Sequence, residues 1–257
     1  QYILERYKGS KPSNDAESLF DKFKTNTKDR LKSSTPLQGL TPFSQIDDEH
    51  PAKQYLNNRK LPKEYFDRLY YCDRFQTYVN KVRPGTFDSL NKRYEHPRLI
   101  IPFYDVDNNV FAIQGRAFGK EQPKYLTLKL QENKQKIFGL ERVNLHKRLY
   151  VVEGPLDSLF LDNCIAAGGA DLQLPAENKD VVFIFDNEPR NKEIIDRMYK
   201  LIDKDYMIVI WPEGTKEKDI NEMIIKGKTK EDLQKIISDN TYSGLSALTQ
   251  LNSYKRI

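Results

Sequence analysis

RLYVVEGPLDSLF (148–160), VVFIFDNEPR (181–190) and MIVIWPEGTKEKDINE (207–222) are the three stretches whose reading decides the fold. Each opens on a short apolar run and leads into carboxylates. The runs at 148–153, 181–186 and 207–211 read as strands, and 181–186 is apolar through almost its whole length, the mark of a parallel strand covered on both faces. Between them the pattern predicts helices over 155–163, opening at a proline, over 190–203 and over 219–226. A short segment at 165–168 ends at Gly168–Gly169. Strands joined by crossover helices make a doubly wound α/β unit over 148–227. Beyond it, Thr229 with Asp232 three residues later is a variant of the capping box, so 228–257 is expected to be a short helical tail.

Working towards the N-terminus, RLIIPFY (98–104) and VFAIQGR (110–116) flank an Asn-rich turn and predict a β-hairpin. KYLTLKL (124–130) alternates with period two and predicts a third strand, with Lys124, Thr127 and Lys129 among its polar positions. Residues 51–95 look helical: Ala52, Tyr55 and Leu56 recur at helical spacing before Arg59, and a second helix is expected near Pro62. KGSKPSNDAE (8–17) and KSSTPLQGLTP (32–42) carry no sustained periodicity, so 1–47 reads as a linker or extension. The fold class expected is therefore α+β followed by α/β. A basic subdomain of helices and antiparallel sheet spans 48–147, the doubly wound unit 148–227 and the helical tail 228–257.

Composition narrows the chemistry. A hydrophobic content of 38% supplies a core and a charged content of 31% a hydrated surface. No apolar run reaches membrane-spanning length and no secretory signal is evident, so a cytoplasmic location is expected. Gln1 rather than Met opens the chain, which leads us to expect a preceding segment. Cys72 and Cys164 are too few for a disulfide framework or a zinc cluster, and His50, His96 and His146 lie far apart. Any metal must then be held by oxygen, which selects hard cations such as magnesium or manganese. The net charge of +5 is unevenly placed: residues 1–99 carry an excess of +6 and the remainder −1. That split fits a polyanion-gripping part followed by a cation-binding part, and ordinary charge scatter accounts for it equally well.

Ligands of open α/β sheets sit at the carboxyl ends of the strands. Three acidic clusters fall there: Glu153 with Asp157, Asp186 with Glu188, and Asp219 with Glu222. Two carboxylates about 4 Å apart repel by roughly 4 kcal/mol at an effective dielectric near 20, so such a gathering needs cations or raised pKa values. A single acid at a strand end commonly caps the next helix, and Glu153 or Asp219 alone would be read that way. All three in order, each at a strand end, favour a magnesium site.

EGPLDSL, VVFIFDNE and KDIN resemble the TOPRIM domain of bacterial-type primases, topoisomerases and certain nucleases and recombination proteins. The resemblance implies Glu153, Asp186 and Glu188 as catalytic metal ligands, with Asp157 and Asp219 supporting. Glu188 stands where most of the family has Asp. The preceding RLIIPFYDVDNNVFAIQGRAFGKEQPKYLTLK and KIFGLERV are similar to the segment before TOPRIM in replicative primases, and YLNNRKLP (55–62) to its helical start. The DNEPR box (186–190) and the closing stretch 244–257 resemble those of the primases of T-even bacteriophages.

This resemblance implies template-directed synthesis of short RNA primers on single-stranded DNA, with Mg2+ or Mn2+ as two ions, in a nucleotidyl transfer that forms no covalent protein intermediate. Arg98, Arg116 and Lys124 would then hold template phosphates and the incoming ribonucleoside triphosphate, and Tyr125 would stack on a base. Read from the residues alone, Lys129 and Lys136 are a solvated strand face and Arg116 is open between the two readings; Lys129 is kept among the binding candidates. The family's zinc-binding module has no counterpart in these residues, so zinc is expected only in a preceding segment. A replicative hexameric helicase and a single-stranded-DNA-binding protein are the implied partners. A TOPRIM nuclease and a catalytically silent DNA-binding subunit of a replication complex remain the rival readings.

Overall fold

A computed structural model describes residues 36–87, 95–167 and 180–257. Most of the expected linker, and Gly168–Gly169, lie outside the described residues.

The first layer is a five-stranded, wholly antiparallel sheet. Its strands are β1 (Thr41–Pro42), β2 (Tyr70–Cys72), β3 (Arg98–Tyr104), β4 (Val110–Ala117) and β5 (Tyr125–Lys129), in that spatial order. Helix α1 (Pro51–Asn58) starts where Pro51 needs no amide partner and His50 Nδ1 accepts the Ala52 N–H at 3.1 Å. Helix α2 (Phe75–Val82) lies on the sheet because Gly115 leaves room for it: a Cβ there would stand 2.3 Å from the Phe75 ring.

Two expectations are corrected here. The last part of the expected linker already belongs to the fold: β1 pairs with β2, and Phe43 is wholly buried with its carbonyl capped by Lys53 Nζ at 2.6 Å. The helix expected near Pro62 is only a 3-10 turn, Lys63–Tyr65, and the aromatic run after it becomes β2. Tyr70 and Tyr71 have the β-prone side chains that a strand paired on both sides, with β1 and β3, rewards.

The second layer is a six-stranded sheet. It contains β6 (Ile137–Phe138), β7 (Leu149–Val152), β8 (Cys164–Ala167), β9 (Val181–Ile184), β10 (Met207–Val209) and β11 (Thr241–Tyr242), in the order β11-β10-β9-β7-β8-β6. The inner four run parallel, and β6 and β11 close the edges antiparallel. Helices α3 (Lys192–Ile202), α4 (Ile220–Ile225), α5 (Lys230–Asp239) and α6 (Gly244–Tyr254) complete it. The Thr229–Asp232 capping box opens α5 as expected.

The sheet therefore extends past 148–227 on both sides. The tail supplies β11, and Ala247 and Leu251 of α6 are fully buried. The helix expected over 155–163 shrinks to a 3-10 turn, Asp157–Phe160. Leu161 is already extended, and Asn163 turns left-handed at φ 47° with its amide held by Asn144 and Arg148. One apolar core serves both layers: Leu99, Ile101 and Phe103 of the first sheet pack with Val152, Val182, Ile184 and Trp211 of the second.

The chain leaves β7 for β8 on one side and returns as β9 on the other. The crevice between the carboxyl ends of β7 and β9 is thus the switch point where an open α/β sheet binds its ligand.

Candidate active site

Glu153 and Asp186 stand at that switch point. Val152 pairs with Ile184, so the two acids leave neighbouring strands almost level. Glu153 Oε2 accepts the Asp186 N–H at 3.2 Å, while its Oε1 meets Arg197 at 2.6 Å. Asp157 arrives from the turn after β7. Its approach depends on Gly154, where a Cβ would lie 2.4 Å from Asp157 Oδ2. Asp157 Oδ1 accepts the Asn221 N–H at 3.0 Å. Asp219 caps α4 by accepting the Glu222 N–H at 2.7 Å, so the ordinary capping role holds for it. It also faces the other acids.

The electrostatics show the convergence. Burial, then the charges of Glu153, Asp157 and Asp219, push the Asp186 carboxyl up to about 7, with Lys218 opposing. Burial and Asp219 raise Asp157 to about 6, against the Asn221 amide, Arg59 and Arg116. Hard oxygen donors that raise one another's pKa are a donor set a divalent cation would relieve. Among the described residues no three carboxylate, histidine or cysteine side chains are yet gathered tightly enough to hold an ion.

Glu188 stands apart. Its carboxylate is ion-paired to Lys218 and accepts from Asn191 Nδ2 at 2.7 Å, which together hold its pKa below the usual range.

On the cationic side the structure separates residues that the sequence grouped. Arg98 is 1% exposed, and its guanidinium donates to the carbonyls of Gly115 and Pro123 at 3.1 Å and of Lys124 at 3.4 Å. Phe75 covers its face. It is consumed in holding the β4–β5 connection, which corrects its expected role at a phosphate. Arg116, one register step away opposite Leu99, faces the other way. Its Nε donates to Tyr125 Oη at 2.8 Å, Tyr55 flanks its plane, and its charge reaches Asp157. Arg116 Nη1 is buried with no hydrogen-bond partner among the described residues.

Exposed Lys124 shares this neighbourhood with Arg116, Arg59, Lys218 and Asp219. Burial and the three cations lower its pKa. Tyr125 is 39% exposed at the rim. Lys129 lies further along β5 and has Lys136 as its charged neighbour.

Sequence reading missed four residues of the site. Arg59 donates to Asn221 Oδ1 and takes the Asn221 amide on its carbonyl at 2.7 Å, tying the end of α1 to the start of α4, whose Asn221 N–H holds Asp157. Arg197 holds Glu153, and Lys218 holds Glu188. Only Lys218 carried a signal, as the neighbour of Asp219.

No family model matches the chain. Solved structures share its fold. One is a DnaG primase catalytic domain bound to single-stranded DNA, with TM-score 0.59, 18% identity, and 94% of this chain and 84% of that one covered. Another is the Escherichia coli primase catalytic core, with TM-score 0.56, 21% identity, and 80% and 78% covered. The zinc-binding and RNA polymerase domains of Aquifex aeolicus primase match at TM-score 0.56 and 20% identity; they cover 76% of this chain, which spans 57% of theirs. The architecture is thus that of a TOPRIM-type primase catalytic core. Against the DNA primase of Enterobacteria phage T4 the chain is 35% identical over 263 residues, covering all of this chain and 75% of that protein. The chain belongs to the DNA primase family, the enzymes that synthesise RNA primers for DNA replication.

Proposed function

We propose that primer synthesis takes place at the β7–β9 switch point, with Glu153, Asp186 and Asp157 as the principal ligands of a divalent cation and Asp219 in support. The carrying observation is the Asp186 carboxyl, pushed up to about 7 by burial and three neighbouring acids. Magnesium bound there, as one ion or two, would lower the pKa of the primer 3′-hydroxyl and balance charge on the departing pyrophosphate. Arg197 holds the Glu153 carboxylate towards the Asp186 loop. Arg116, with an N–H group free inside the cleft, and Lys124 at its mouth bind the incoming ribonucleoside triphosphate or the template backbone. Tyr125 offers a half-exposed ring to a base. Lys218 neutralises Glu188, so Glu188 joins the metal shell only when that ion pair opens.

The template in this reading is single-stranded DNA, and the coupled partners are a hexameric helicase and a single-stranded-DNA-binding protein, in the host cytoplasm. Among the described residues no helix is long and apolar enough to cross a membrane. The test is incubation with single-stranded DNA, the four ribonucleotides and Mg2+. New oligoribonucleotides are expected, and Glu153→Gln should abolish them while template binding persists. Full synthesis by Glu153→Gln would end the ligand assignment. Appending a family zinc-binding module should raise rate or start-site selectivity, and no gain would remove that part of the reading.

A further inference from the structure

Asn187 lies between two of the candidate ligands, and its backbone N–H and both ends of its side-chain amide are engaged. Its backbone N–H donates to the Lys218 carbonyl at 2.6 Å. Its Nδ2 donates to the carbonyls of Thr215 and Glu217, both at 3.0 Å. Its Oδ1 accepts from Tyr254 Oη at 3.0 Å. Two donations and one acceptance in these directions need a primary amide, which a carboxylate of the same size cannot supply. One side chain thereby fixes the loop carrying Asp186 and Glu188 against the loop carrying Lys218 and Asp219. The third attachment point is the last turn of α6.

That turn is itself rigidly held. Ala247 and Leu251 are fully buried, Tyr199 Oη donates to Asn252 Oδ1 at 2.7 Å, and Lys255 Nζ reaches Tyr199 Oη at 3.0 Å. Just past the helix, the Arg256 N–H donates to the Pro189 carbonyl at 2.8 Å, a second clasp on the same loop. Tyr254 is only partly exposed, and burial with the charges of Glu188 and Asp186 raises its phenol well above the usual range, so it remains a donor at any working pH.

We propose that Tyr254, through Asn187, is a positioning residue of the active site, and that α6 serves to lock the two acidic loops in one frame. This rests on the reading of Asp186 as a cation ligand. Partners one shell behind a ligand typically change metal affinity or activity by roughly 10–100-fold. Tyr254→Phe deletes one hydroxyl and no packing volume. It should weaken Mn2+ binding by about tenfold, read from the free-ion electron paramagnetic resonance signal, and raise the metal concentration for half-maximal synthesis to match. At saturating metal the KM for ribonucleotides should stay unchanged.

Amide hydrogen exchange in the metal-free protein gives a second, independent readout. The Asn187 N–H should exchange faster in Tyr254→Phe, while the amides of β9 and β10 keep their protection. Asn187→Ala should reproduce the loss, and the double variant should be no worse than Asn187→Ala alone, as two groups acting through one bond require. Unchanged Mn2+ affinity and unchanged Asn187 exchange in Tyr254→Phe, or additive losses in the double variant, would overturn the proposal. Asp186→Asn, measured in parallel, tests the underlying site: retained Mn2+ binding there would sink the ligand reading, whatever Tyr254→Phe shows.

Discussion

The two sheets share a core but present charge in opposite ways. The parallel sheet puts its acids in the segments that follow β7, β9 and β10, where the strand direction itself carries them to one edge. The antiparallel sheet puts its cations on the strands, where pleat and register decide which face each one takes. Arg98 and Arg116 make the difference plain. Arg98 pairs with Ala117 and Arg116 with Leu99, so the two arginines stand one step apart in register and on opposite faces. One is sealed under Phe75 and the other opens towards Asp157. Strand direction alone gathers the acids of the parallel strands at one edge, whereas a charge within an antiparallel strand takes its face from the register.

Substitutions can break that contrast. The largest effect is expected at the parallel edge. Asp186→Asn should cut primer synthesis by roughly 100-fold or more, in line with the loss of a group that stabilises developing charge. Single-turnover extension of a preformed primer at high template concentration measures this directly. Arg98→Met comes next, and in stability rather than chemistry. It strands buried carbonyls that a charged donor now satisfies, at a cost of about 3 kcal/mol in a urea titration, with template affinity per folded molecule unchanged. An Arg98 variant that folded normally but failed to bind template would return Arg98 to the binding surface.

Arg116→Lys should keep the charge and lose the planar fork. We expect about a tenfold fall in kcat/KM for ribonucleotides with little change in Tm. Lys129→Ala should be the mildest, changing template binding by less than about twofold. A loss at Lys129 equal to that at Arg116 would show that the whole length of β5, and not only its cleft end, lines the binding surface.

The long elements were legible because apolar runs and alternation speak for themselves: 98–104, 110–116, 124–130, 181–186 and the helix after 190 all stand where the periodicity places them. Strands β1, β2, β6 and β11 are two or three residues long, too short to carry any period. They exist because a neighbouring strand offers them hydrogen bonds. The turn at 157–160 misled in the other direction, because a proline start and apolar spacing made it look like a helix.

In the candidate site, strand ends and motif order pointed to Glu153, Asp157, Asp186, Glu188 and Asp219; the structure brings four of them within electrostatic reach of one another and ties Glu188 to Lys218. Their counter-charges could not be read that way. Arg59 and Asn221 are 162 residues apart in sequence, and Lys218 and Glu188 meet only because two loops are laced together through Asn187. Sequence alone determined the family, the alternation of the long strands with helices, and a candidate set of carboxylates, since each is written in local pattern or in ordered motifs. Only the tertiary structure decided which cations face the cleft, that Arg98 does not, and that the end of the chain reaches back to the acidic loops. Those outcomes depend on register and long-range contact, for which a linear pattern has no term.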